Sequence, residues 1–149
     1  MVRQELLVTH PLDAVPDGLS DALSIYRDAL RRIIRQCEMN GQSVYFLTQP
    51  TMYHNNMPQS LEELLWEHTS EGAYTPEVLA TVINAYNRAL LAVCAESGVS
   101  CIDLASQLSQ DTTVFYDDCH FNIQGCKTVA GALLPYFVSE MGARGDHVQ

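Results

Sequence analysis

The amino-acid order predicts an α/β fold, a parallel sheet flanked by helices, and three observations carry that expectation. Helical and extended segments alternate along the chain, as in sheets layered by helices. The extended segments are apolar at consecutive positions, as in parallel strands covered on both faces, and each helical segment carries one apolar stripe at three-and-four spacing.

Residues 1–19 hold Pro11, Pro16 and Gly18 among mixed polar residues and are expected to be an extended approach loop, neither strand nor helix. From Ser20, a candidate N-cap, Ala22, Leu23, Ile25, Tyr26, Ala29, Leu30, Ile33, Ile34 and Cys37 recur on one helical face until Asn40-Gly41 supplies a stop. Ser43–Thr48 is rich in β-branched and aromatic residues, a strand that Gln49-Pro50 ends. Residues 51–75 form a long loop with Met52, Tyr53, His54, Met57 and Trp66, and one short helical piece at Leu61–Trp66. A loop of that length in a compact domain is usually functional or mobile, and a substrate-side lid is the expectation here.

Thr75-Pro76-Glu77 opens the next helix with a capping residue followed by proline in the first turn. Val78, Leu79, Val82, Ile83, Tyr86, Leu90, Leu91 and Cys94 continue it, and Gly98 closes it. Val99–Leu104 reads as a second strand, Ala105–Leu108 as a brief helix, and the loop Asp117-Asp118-Cys119-His120 follows. Asn122 is placed to cap the last helix, whose buried face is predicted as Ile123, Val129, Ala132, Leu133, Tyr136 and Phe137. Residues 140–149 form a polar tail expected to fray, which leaves 20–139 as the domain. Two strands leave three amphipathic helices with too little sheet to cover them. The domain is therefore expected to be incomplete at its N-terminus, and its uncovered sheet edge is a route to self-association.

A chain of 149 residues has the size of one ordinary domain. Apolar residues make up 47% and charged residues 17%, a globular composition. Eighteen acidic against eight basic side chains give a formal charge of -10, which repels phosphate backbones and argues against a nucleic-acid partner. No uninterrupted apolar run approaches the roughly 20 residues of a membrane-spanning helix, and Met1–Val8 lacks an apolar core of the secretory kind. The five cysteines, Cys37, Cys94, Cys101, Cys119 and Cys126, are odd in number without a C-x-x-C pair, and are expected to be mostly buried thiols. Cys119 and Cys126 flank His120 without the usual zinc spacing, so neither metal nor cofactor is expected.

The chemistry concentrates at Asp117 and His120. In a loop ending at a helix N-terminus, side chains three apart converge. Asp117 then accepts a hydrogen bond from one ring nitrogen of His120 and leaves the other to take a proton from a hydroxyl, the base-and-orienter half of a serine triad. The same residues would also serve as an acidic turn capping the helix. Asp118 is the fallback orienter.

Ile102-Asp103-Leu104, the loop to Asp117-Asp118-Cys119-His120-Phe121-Asn122, Gly125 and the small-residue helix Val129-Ala130-Gly131-Ala132 together resemble the last conserved block of the GDSL/SGNH ester hydrolases. Val44–Pro50 and Asn84–Leu90 are similar to that family's later segments, so the resemblance runs from about residue 22 to 138. It implies a flavodoxin-like three-layer sandwich with His120 as general base and Asp117 as its orienter. It further implies a small-molecule, carbohydrate or lipid ester substrate, no cofactor, and a pocket shaped by Tyr53, His54 and Trp66. The family's serine lies in a G-D-S block, and its oxyanion hole adds a glycine and an asparagine from two further blocks. None of these blocks is present. Gly18-Leu19-Ser20-Asp21 holds the letters in another arrangement with no strand before it, and Cys119, adjacent to the base, is expected to point away from it.

The expectation is thus the C-terminal part of an ester hydrolase, with the nucleophile supplied from elsewhere. The alternative is a non-catalytic remnant that binds a partner through its strand edge or helix faces. A metal-dependent hydrolase using His120, Asp117 and His54 is a third reading.

Overall fold

A computed structural model describes residues 2–145. In chain order it has α1 (Val2–Thr9), β1 (Pro11–Leu12), α2 (Leu19–Met39), β2 (Tyr45–Leu47), α3 (Gln59–Glu62), β3 (Ala73–Tyr74), α4 (Pro76–Ser97), β4 (Ser100–Ile102), a 3₁₀ turn at Ala105–Gln107 and α5 (Ile123–Gly145). The chain is mixed α/β with short parallel strands. β2 pairs with β4 in the register Tyr45–Ser100, Phe46–Cys101 and Leu47–Ile102. β1 and β3 form a second two-stranded parallel ribbon, Pro11 opposite Ala73 and Leu12 opposite Tyr74.

Local chemistry explains most boundaries. Thr75 Oγ1 accepts from the Val78 N–H at 3.4 Å and Pro76 fills the first turn, so α4 starts where side-chain capping replaces a missing backbone acceptor. It ends at Gly98, whose φ of 66° is the left-handed cap that costs glycine least. α2 stops at Asn40, and the following Gly41 has φ 64°. At the other end of α2 the expected Ser20 cap is corrected: Gly18 occupies the cap position and no side chain bonds there.

Two apolar clusters hold these elements. Leu30 and Ile34 of α2 meet Leu90, Val93 and Cys94 of α4, and Tyr26 meets Tyr86 edge-on at 5.0 Å. The other cluster gathers Met52, Tyr53, Met57, Leu65, Ala80, Leu104, Leu108, Val114 and Phe115 beneath the 117–120 loop. At 22 residues and a mean hydropathy of 1.5, α4 is long and apolar enough to cross a membrane by length and composition. Asn84, Asn87 and Arg88 interrupt its apolar runs, so no unbroken stretch marks it in the sequence. Its Val78, Ala80, Ala89, Leu90 and Val93 are buried in the fold.

Several expectations are overturned. Residues 1–19 are not a bare loop: α1 and β1 lie within them. α1 is anchored by Arg3, only 2% exposed. Its Nε donates to the Glu67 carbonyl at 3.0 Å and its Nη2 to that of Tyr74 at 2.8 Å. β1 tolerates Pro11 because it is a two-residue strand at the edge of a ribbon. Its partner β3 begins after Gly72, where an added Cβ would collide with the His10 carbonyl oxygen. The expected buried face of α5 is half open: Ile123 is 80%, Phe137 44% and Tyr136 42% exposed, while Val129, Ala132 and Leu133 do pack on the second cluster. A two-stranded sheet is too narrow to cover that face. α5 runs to Gly145 where a frayed tail was expected from residue 140; residues 146–149 lie outside the described ones.

The expectation of reduced thiols fails at one pair. Cys94 and Cys101 form a disulfide, because the reversal at Gly98 brings the last turn of α4 against the middle of β4. Cys37, Cys119 and Cys126 are free thiols.

Candidate active site

The loop bearing the candidate residues is a closed lobe on the rim of the second cluster. Phe115 and Phe121 form an antiparallel bridge at its neck. The Tyr116 N–H donates to the His120 carbonyl at 3.1 Å, and the Asn122 N–H to that of Val114 at 2.9 Å. Asn122 Oδ1 then accepts from the Gly125 N–H at 2.7 Å, the predicted cap of α5. Gly125 is buried, and a Cβ there would strike the Val114 carbonyl oxygen. Gly125→Ala is therefore expected to lower stability by about 1–3 kcal/mol through overpacking. A chemical-denaturation midpoint equal to that of the parent would show that α5 can shift away from the lobe at no cost.

Asp117 and His120 converge as expected. His120 Nδ1 lies 3.0 Å from both carboxylate oxygens of Asp117. The backbone N–H groups of His120 and Cys119 donate to Asp117 Oδ1 at 2.9 and 3.1 Å. Burial alone would push the Asp117 carboxyl up, but the N–H groups of His120 and Cys119 and the imidazole outweigh it and hold the group below its ordinary 3.8. A depressed carboxylate stabilises the fold at all pH values above its unfolded pKa and loses that contribution as pH falls through the lower folded value. The turn is thus expected to stay intact at pH 5 and to loosen only below the ordinary carboxylate range. The side-chain carboxyl carbon shift of Asp117 followed against pH checks this, and protonation of that carboxyl above pH 4 would contradict it.

An ionised carboxylate only accepts, so the proton shared with it resides on Nδ1, and in the neutral imidazole the Nε2 lone pair is open. The His120 side chain is 53% exposed, and among the described residues nothing hydrogen-bonds Nε2. Two aromatic rings flank the imidazole, Tyr116 at 5.7 Å and Trp66 at 6.3 Å between centroids, each inclined to it by 17°.

The other sequence candidates divide. Trp66 stands beside His120. Tyr53 does not line an open pocket: it is 8% exposed and donates its hydroxyl to Asp118 Oδ1 at 2.8 Å. Burial first, and then Asp118, push its phenol far up, so it stays a neutral donor. His54 turns its Nδ1 to the neighbouring Asn55 carbonyl at 2.9 Å and has no contact with the Asp117–His120 pair. Asp118 is not an orienter of His120. It points into the protein at 2% exposure, where Oδ2 accepts from the Trp66 N–H at 2.7 Å and Oδ1 from that of Glu67 at 3.4 Å.

Donor atoms of Asp117, Cys119 and His120 lie within 4.8 Å of one another, so these residues and not His54 are the ones that could approach a metal ion. The donor types suit zinc, yet the Asp117 carboxylate is already engaged by three N–H groups. Burial first, then Asp117, Asp118 and Glu67, push the Cys119 thiol up, which also makes it a poor nucleophile at neutral pH. A cleft of about 290 Å³, lined by Gln49, Ile83, Asn87, Arg88, Leu91 and Asp103 among others, does not include His120. Sequence reasoning missed Tyr116 and Arg3; each is a single residue defined by partners that no local pattern announces. No family model matches the chain, and neither the curated proteins nor the solved structures contain a significant match.

Proposed function

We propose that the chain provides the proton-handling half of an SGNH-type serine ester hydrolase centre, with His120 as general base and Asp117 as its orienter. The observation that carries this is the 3.0 Å contact of His120 Nδ1 with the Asp117 carboxylate while Nε2 remains open. In such a centre a serine hydroxyl attacks the ester carbonyl as Nε2 takes its proton. The imidazolium returns that proton to the departing alcohol, and water, activated by the same nitrogen, releases the acid. On this proposal the serine and the oxyanion donors come from polypeptide other than residues 2–145, and β2 and β4 belong to a larger flavodoxin-like sheet.

The second reading, a non-catalytic module that binds a partner, draws on the exposed apolar side chains Ile25, Ile33, Leu134, Phe137 and Val138. Release of nitrophenol from p-nitrophenyl acetate separates the two. The assay uses the chain alone and the chain extended by the codons in frame with Met1 on its 5′ side. Turnover that disappears in His120→Ala supports the hydrolase. Turnover that survives His120→Ala removes His120 as the base, and an inert, oligomeric protein in both forms favours the binding module.

A further inference from the structure

Trp66 and Tyr116 are large rings left open to solvent, 54% and 58% exposed, although an apolar cluster lies directly beneath the loops that carry them. Neither is a loose surface residue. The Trp66 backbone is fixed by Asp118 Oδ2 at 2.7 Å and that of Tyr116 by the His120 carbonyl at 3.1 Å. Their planes both lie 17° from the His120 ring, so each runs roughly parallel to the imidazole. Order without burial is what a preformed contact surface requires, since the rings lose little further freedom when a ligand arrives.

We infer that Trp66 and Tyr116 form a stacking platform for a neutral carbohydrate ring, so that the ester presented to His120 is one carried on a glycan. This rests on the hydrolase proposal for what happens at His120, but the binding step stands apart from it. Aromatic faces carry the negative part of the ring quadrupole and attract the weakly positive C–H face of a pyranose, a flat contact made from one side. An acyl chain gains its affinity from enclosure on several sides, and these rings, together with a half-exposed His120, offer none. Charge points the same way. Asp117, Asp118 and Glu67 all act on the Cys119 thiol, and the chain carries a formal -10. Such a field disfavours phosphate or carboxylate ligands.

The chain has one tryptophan, so its intrinsic emission reports on Trp66 alone. Titration with xylohexaose or cellohexaose is expected to give a saturable emission change, and hexagalacturonate and methyl octanoate little or none. Tyr116→Ala, which keeps the reporter, should weaken the hexaose response about three- to tenfold, and Tyr116→Phe should retain it. Calorimetry on Trp66→Ala should lose binding. Absence of any saturable response to neutral glycans, a response indifferent to Tyr116→Ala, or a response to methyl octanoate in their place each overturns the inference. Measuring p-nitrophenyl acetate turnover on the same samples keeps the two ideas apart. Turnover without glycan binding removes only the platform, and glycan binding with activity that survives His120→Ala removes only the hydrolase.

Discussion

Asp118→Ala is expected to lower the unfolding free energy by about 3–5 kcal/mol, the range for removing one partner from a buried charged network. The carboxylate accepts from the Tyr53 hydroxyl and from the backbone N–H groups of Trp66 and Glu67, and its removal leaves the buried Tyr53 hydroxyl and two half-buried N–H groups without their acceptor. Arg3 adds to the loss. Burial lowers its pKa while Asp118 is the first of the charges that oppose this, and its Nη1 has no hydrogen-bond partner among the described residues. Without Asp118 that buried guanidinium loses its main compensating charge. Asp118→Asn should cost less, because an amide oxygen can still accept, and Arg3→Met combined with Asp118→Ala should cost less than the two separate losses added together. Denaturant midpoints for Asp118→Ala, Asp118→Asn, Arg3→Met and the double variant test this. A loss below about 1 kcal/mol for Asp118→Ala would mean that the loop at 65–67 and α1 do not depend on this carboxylate.

The contrast between Asp117 and Asp118 also shows what a sequence can and cannot disclose. Features decided within a turn or so were legible: the Thr75-Pro76 opening, the Gly98 and Asn40-Gly41 stops, the Asn122 cap, and the meeting of Asp117 with His120. Each depends on backbone geometry three or four residues long. The illegible features join distant segments. Arg3 reaches Glu67 and Tyr74, β1 pairs with β3, and Asp118 meets Tyr53 65 positions away, none of which leaves a periodic mark. Adjacent residues of like character then take opposite fates. Tyr53 goes inward and His54 stays at the surface, Asp118 goes inward and Asp117 faces the imidazole, and composition cannot decide between them. The half-open face of α5 is legible in one sense only: its apolar stripe is plain in the sequence, but whether a sheet is present to cover it depends on strands, and only four short ones exist among the described residues.

Asp117→Asn, in a turnover-competent form of the protein, is expected to reduce kcat for a nitrophenyl ester by about 10³–10⁴-fold, the scale on which a misoriented base acts in acyl transfer. Stability should fall by only about 1 kcal/mol, because the amide oxygen of that variant can still accept from the Cys119 and His120 N–H groups that close the turn. The loss arises at the second oxygen. Where Asp117 Oδ2 now faces His120 Nδ1 at 3.0 Å, an amide presents an N–H donor, which favours the tautomer with Nδ1 as acceptor and the proton on Nε2. That tautomer has no lone pair for the hydroxyl that the proposed mechanism would deprotonate. Asp118→Asn should give the reverse pattern, a substantial loss of stability with kcat reduced far less. Nitrogen chemical shifts of the His120 ring distinguish this mechanism from a general disturbance of the lobe, since they should report the proton moving from Nδ1 to Nε2 in Asp117→Asn alone. If kcat stays within tenfold of the parent while the tautomer does exchange, His120 is not the base and the Asp117–His120 pair serves only to close the turn before α5.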